Sequence, residues 1–68
     1  MKLSARNQIR GKVVEVRKGA TTSHVVIEIA GGVQVMTSIT NEAVEDLGLQ
    51  VGDEATAVIK ASDVMVAK

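Results

Sequence analysis

The residues of this chain that could do chemistry are cations and hydroxyls set far apart in the sequence. They are Ser4 and Arg6 in Leu3-Ser4-Ala5-Arg6-Asn7-Gln8, Thr40 ahead of an acidic stretch, and Lys60 and Ser62 in Val58-Ile59-Lys60-Ala61-Ser62. If the first stretch is extended, Ser4 and Arg6 share a face, a hydroxyl and a guanidinium about 7 Å apart. Alone, that pair reads as the solvated side of an edge strand. Thr40 stands at a helix start, where unpaired N–H groups and the dipole favour negative charge; its hydroxyl could donate to a ligand or simply cap the helix. Lys60, by itself a surface lysine, precedes a strand break that frees the N–H of Ala61 and the hydroxyl of Ser62. Together these groups make a cage for one tetrahedral dianion.

Other chemistries find no support in the sequence. The acids Glu15, Glu28, Glu42, Glu45, Asp46, Asp53, Glu54 and Asp63 form no catalytic spacing, and His24 has no Cys or second His with which to hold a metal. The expectation is a binding protein, not an enzyme, with no metal ligated directly by the chain. The glycine-rich turns lack the Lys-Ser/Thr of a phosphate loop and precede strands. Eight basic residues balance eight acidic ones and there is no Phe, Tyr or Trp, so neither a positive field nor a stacking surface draws nucleic acid. No apolar run is long enough to span a membrane, and Met1 to Arg6 lacks the apolar centre of a signal peptide. A cytoplasmic location is expected on that ground; the missing Cys leaves redox compartment open.

The elements that must position the cage are mostly strands. Ile9–Arg17 reads as one long strand bent at Gly11, followed by a turn at Lys18 to Thr21. His24–Ala30 and Val33–Ile39 alternate with period two about a Gly31-Gly32 hairpin. Thr40 to Gly48 carries capping residues, early acids and a terminal glycine, a helix of about two turns with Ala43, Val44 and Leu47 on one side. Glu54–Ala61 is a fourth strand and Val64–Val66 a short fifth. This order predicts one all-β domain over residues 1–68, a five-stranded Greek-key barrel of the OB type with a helix between strands 3 and 4; a small open sandwich is the alternative.

At 68 residues without disulfide or metal, a lone core is marginal. Odd positions of the strands form one apolar face, yet Val14, Val16, Val26, Met36 and Val58 fall on the other. Strands apolar on both faces are covered on both, so a homo-oligomer is expected.

Ser4-Ala5-Arg6-Asn7-Gln8, Gly11-Lys12-Val13-Val14, Glu28-Ile29-Ala30-Gly31-Gly32, Ile39-Thr40-Asn41 and Thr56 to Ser62 together resemble the molbindins, the small molybdenum-pterin-binding or Mop proteins. The resemblance runs nearly end to end. It implies an OB-type domain assembled as a hexamer, a trimer of dimers, with molybdate or tungstate held at subunit interfaces for storage. It also implies a pocket built by Ser4, Arg6, Thr40 and Lys60 with backbone amides around Ala43 and Ala61. Some relatives have Ser where this chain has Ala43, so that hydroxyl is missing. A second class of site near the threefold axis is implied too, with Lys18 and Gly19 as its candidates. The other function open at this point is a stand-alone oxyanion sensor acting on a transporter or transcription partner.

Overall fold

The computed structural model describes residues 2–68. In chain order the elements are β1 (Asn7–Lys18), β2 (Thr22–Ile29), a 3-10 turn (Ala30–Gly32), β3 (Val33–Thr40), α1 (Asn41–Leu47), β4 (Glu54–Ile59) and a second 3-10 turn (Ala61–Asp63). The four strands form one antiparallel sheet in the order β3-β2-β1-β4.

β1 is the spine. Its first half, Asn7 to Lys12, pairs with β4, and its second half, Lys12 to Lys18, pairs with β2. Two devices let one strand serve both partners. At Gly11 a side chain would set its first carbon 2.5 Å from the Glu28 carbonyl oxygen and 2.7 Å from an Ile27 methyl, so β1 crosses β2 at a distance only glycine allows. Between Val13 and Glu15 the register slips by one residue at a bulge. A one-residue slip exchanges the faces of a strand. Val16 therefore lies opposite Val25 and packs on the core, not on the outer face where unbroken alternation put it.

The core is small and aliphatic. Val13, Val25, Ile27 and Ala57 are buried together, with Val16, Ile29, Ile39, Val44 and Leu49 packed around them. The helix forms as its sequence predicts, with Thr40 as N-cap and Gly48 closing it at φ 62°. Val44 reaches the core but Leu47 stays 68% exposed.

Three expectations are corrected. Val64–Val66 forms no strand, because a strand needs a neighbour for its N–H and C=O groups and none lies beside it; Met65 and Val66 are each 93% exposed. With four strands the sheet stays open between β3 and β4 instead of closing as a five-stranded barrel. β1 begins at Asn7 and Ser4 sits at a bend, so Ser4 and Arg6 are not strand neighbours on one face. On the outer face Val26 is buried, leaving Met36 and Val58 at 65% and 44% exposure as the apolar groups there that call for a cover.

The close crossing at Gly11 has a measurable cost. Gly11→Ala is expected to destabilise the protein by about 3 kcal/mol, against about 1 kcal/mol for Gly31→Ala in the open hairpin turn. Urea denaturation at matched protein concentration measures both, and equal losses would remove the steric role given to Gly11.

Candidate functional site

The β1–β4 ladder ends with Asn7 opposite Ile59, and Asn7 Nδ2 donates to the Ile59 carbonyl at 3.2 Å. The segments just beyond the ladder, Ser4 to Arg6 and Lys60 to Ser62, therefore leave the sheet at one corner. The first position beyond the last pair puts Arg6 beside Lys60; after that the chain bends at Ser4 and turns over Ala61–Asp63, so the register goes no further. Residues more than fifty positions apart are brought together by one pairing. Buried Ala5 and a 3.4 Å hydrogen bond from Gln8 Nε2 to the Ala5 carbonyl tether the N-terminal side.

The chemistry of that corner is cationic and donor-rich. Arg10 pairs with Glu54, Arg17 with Glu15 and Lys18 with Glu45. Arg6 and Lys60, both exposed, have no ion-pair partner among the described residues. In the 3-10 turn after β4, Asp63 N–H donates to the Lys60 carbonyl at 2.9 Å and Val64 N–H to the Ala61 carbonyl at 3.2 Å. The first two amides of the turn, Ala61 and Ser62, are the ones the turn does not satisfy. Two unpaired cations, two hydroxyls and two such amides suit an oxyanion.

Thr40 and Ala43 lie elsewhere. Thr40 is opposite Thr22 at the far end of the β2–β3 ladder, beside the turn that follows Lys18. The twelve residues of β1 run between that turn and the Asn7 corner. Thr40 Oγ1 accepts from Ala43 N–H at 3.0 Å, so the cap is formed; the hydroxyl hydrogen is still free to donate outward. Within one chain the predicted cage is thus two half-sites at opposite ends of β1. Lys18 and Gly19 belong to the Thr40 end: Lys18 Nζ lies 3.4 Å from Glu45 Oε1, and Gly19 N–H donates to the Thr22 carbonyl at 2.8 Å. They border a shallow cleft of about 240 Å³ with Arg17, Thr22 and His24.

Two positioning residues escaped the sequence reading. Ser23, fully buried, donates its hydroxyl to Asn41 Oδ1, Asn41 Nδ2 donates to the Gly19 carbonyl at 3.0 Å, and Asn41 N–H donates to the Thr21 carbonyl at 2.9 Å. This network pins the helix start, and Thr40 with it, to the β1–β2 turn. The available signals were an Asn directly after a capping Thr and a Ser within an otherwise apolar strand. The larger clefts involve none of the predicted residues. One of about 610 Å³ sets Arg10 and Lys12 against Glu28 and Glu54, so it is balanced in charge; one of about 450 Å³, between β3 and β4, is apolar.

Replacing Asn41 by Ala leaves the Ser23 hydroxyl buried without its acceptor. A loss of about 1 to 3 kcal/mol is expected, with faster hydrogen exchange at the Ala43 amide; unchanged exchange there would mean that Asn41 does not hold the cap.

The model of the TOBE domain matches residues 3–66. Molybdenum-pterin-binding protein 3 of Clostridium pasteurianum is 56% identical over 66 residues, 97% of each chain. The solved structure of a molybdate binding protein from Sporomusa ovata superposes with a TM-score of 0.94 at 37% identity, covering 100% of both chains. Molybdenum transport protein ModE of Herbaspirillum seropedicae is 52% identical over 65 residues, 96% of this chain but 24% of ModE.

Proposed function

The chain belongs to the TOBE-domain family, among the molybdenum-pterin-binding proteins, and from that premise we propose that it binds molybdate or tungstate between subunits and stores it in the cytoplasm without chemical turnover. The observation that carries this reading is the division of the cage. Ser4, Arg6, Lys60, Ala61 and Ser62 gather at one end of β1, while Thr40 and Ala43 sit at the other. One chain cannot close these groups around one ion. Two chains can, if the cationic corner of one meets the helix start of the next; the hexamer built as a trimer of dimers is what the resemblance to the family implies.

Binding needs no bond from protein to metal. Molybdate keeps its four oxygens and presents them to donors, Arg6 and Lys60 supplying the charge and the hydroxyls and the Ala61 and Ser62 amides the remaining hydrogen bonds; the Ala43 N–H, expected as a further donor, is taken by Thr40 Oγ1. Charge-assisted hydrogen bonds contribute about 1.5 to 3 kcal/mol each, so about six offset the desolvation of a dianion. Sulfate has the same charge and shape, so the size of the closed cavity sets the preference. A site shared by two subunits also links occupancy to assembly by mass action. Lys18 with Gly19 is retained as a second anion position, where the ion would displace the Glu45 carboxylate from Lys18.

The likeness to ModE supports a second reading, a regulatory module that binds the same ion but acts on a partner. Pull-down with and without molybdate separates the two: a partner captured in only one condition favours regulation, and none in either favours storage.

Arg6→Ala and Lys60→Ala are each expected to weaken molybdate binding at least about tenfold, or about 1.4 kcal/mol, with the fold intact by circular dichroism. Titration calorimetry measures this, and unchanged affinity in both variants would sink the site. Native mass spectrometry of the purified protein should report a multimer carrying oxyanion mass; a bare monomer is the contrary result.

A further inference from the structure

We propose that the cleft at the Lys18 end of β1 takes up a proton together with its anion: Arg17 and His24 act in it beside Lys18, and an oxyanion seated there holds His24 as imidazolium. The inference rests on the oxyanion reading above, whose second position it completes and places under the control of pH.

The donors of this cleft have to be side chains. It is lined by Arg17, Lys18, Gly19, Thr22 and His24, but the Gly19 N–H already donates to the Thr22 carbonyl at 2.8 Å. Gly19 serves the turn instead, since a side chain there would set its first carbon 2.7 Å from that same oxygen. What remains is a guanidinium, an ammonium, an imidazole and a hydroxyl, with no carboxylate among the lining residues. At about 240 Å³ the cleft falls below the range of about 300 to 1,000 Å³ that organic ligands occupy. Its size and charge suit a compact anion.

The imidazole is the part that can change charge. Arg17 and His24 are partners in the β1–β2 ladder, and Arg17 Nη2 lies 3.1 Å from His24 Nδ1. A guanidinium can only donate, so this contact is a hydrogen bond only while Nδ1 lacks a proton. Protonation breaks it and sets a new positive charge beside Arg17. The surrounding charges offer that cation no acid of its own. Arg17 Nε lies 3.9 Å from Glu15 Oε2 and Lys18 Nζ 3.4 Å from Glu45 Oε1, so each acid already has a base. Glu28 shares the His24 face of β2 but is about 13 Å away along the strand. On the other side His24 is opposite Ser38, and β3 carries no titratable side chain.

A dianion supplies the missing charge. Seated among Arg17, Lys18 and His24, it favours the protonated ring, and by linkage the protonated ring favours the ion by the same factor. The sign follows directly: binding raises the pH at which His24 titrates, so affinity at the cleft rises as pH falls. Histidine changes charge between about pH 5 and 8, so the cleft fills on mild acidification and empties as the pH rises again.

His24 is the only histidine in the chain, so its Cε1–H resonance reports on this position alone. In an NMR pH titration of the full-length protein, saturating molybdate is expected to raise the His24 midpoint by about one pH unit, a coupling of about tenfold. The rise should vanish in Lys18→Ala, while calorimetry still registers the ion held through Arg6 and Lys60. A midpoint that molybdate leaves unmoved overturns the proton-linked cleft, and the oxyanion reading then stands or falls separately on the calorimetric heat. A rise that persists undiminished in Lys18→Ala also overturns it, because the proton would then answer to an ion bound elsewhere.

Discussion

The pairing of β1 with two different strands is the constraint on which the rest of this structure depends. A strand has two edges, and β1 gives its first half to β4 and its second half to β2. Gly11 permits the close crossing and the bulge after Val13 absorbs the twist. Because the β4 ladder runs to Asn7, it delivers the Arg6 and Lys60 segments to one corner. Because the β2 ladder runs to Lys18, it carries the helix start away from them. The same geometry that builds the core therefore splits the polar groups into two half-sites.

The second constraint is size. Without aromatic residues, the chain covers its core with Val, Ile and Ala, and its fully buried large side chains are Val13 and Val25. Domains of this length stand near the limit for a lone aliphatic core. The surface carries the complement of that shortage in Met36, Leu47, Val51, Met65 and Val66, all more than 60% exposed. Burying these groups against another copy would use apolar area that a single chain cannot use. In the proposed reading, stability and ligand binding make the same demand for a partner.

Much of this was legible in the sequence. Period-two alternation located β2 and β3, Thr40 and Gly48 marked the helix ends, and the residues of the candidate site were named from their hydroxyls and cations. What stayed hidden has physical causes. A bulge has no composition of its own, so the face of Val16 could not be known until the register was. Ser4 was placed on a strand by alternation, but alternation does not require pairing, and the ladder stops at Asn7. Val64–Val66 has a strand's composition and no partner within the chain. The Ser23–Asn41 network joins residues eighteen positions apart, a contact that local pattern cannot reveal.

The unpaired state of Arg6 and Lys60 follows from the same register. Elsewhere the strands set cations near acids, as in Arg10 with Glu54 and Arg17 with Glu15. At the Asn7 corner the residues that follow β4 are Lys60, Ala61 and Ser62, and the first carboxylate, that of Asp63, forms an ion pair with neither cation. Two cations that leave the sheet at one corner repel each other, and bringing a second chain over them would remove the water that screens that repulsion. An assembly covering this corner without a counterion would be opposed by its own charges. A dianion bound there would reverse the sign of that term, so in the proposed reading the ligand is a component of the interface and not merely its passenger.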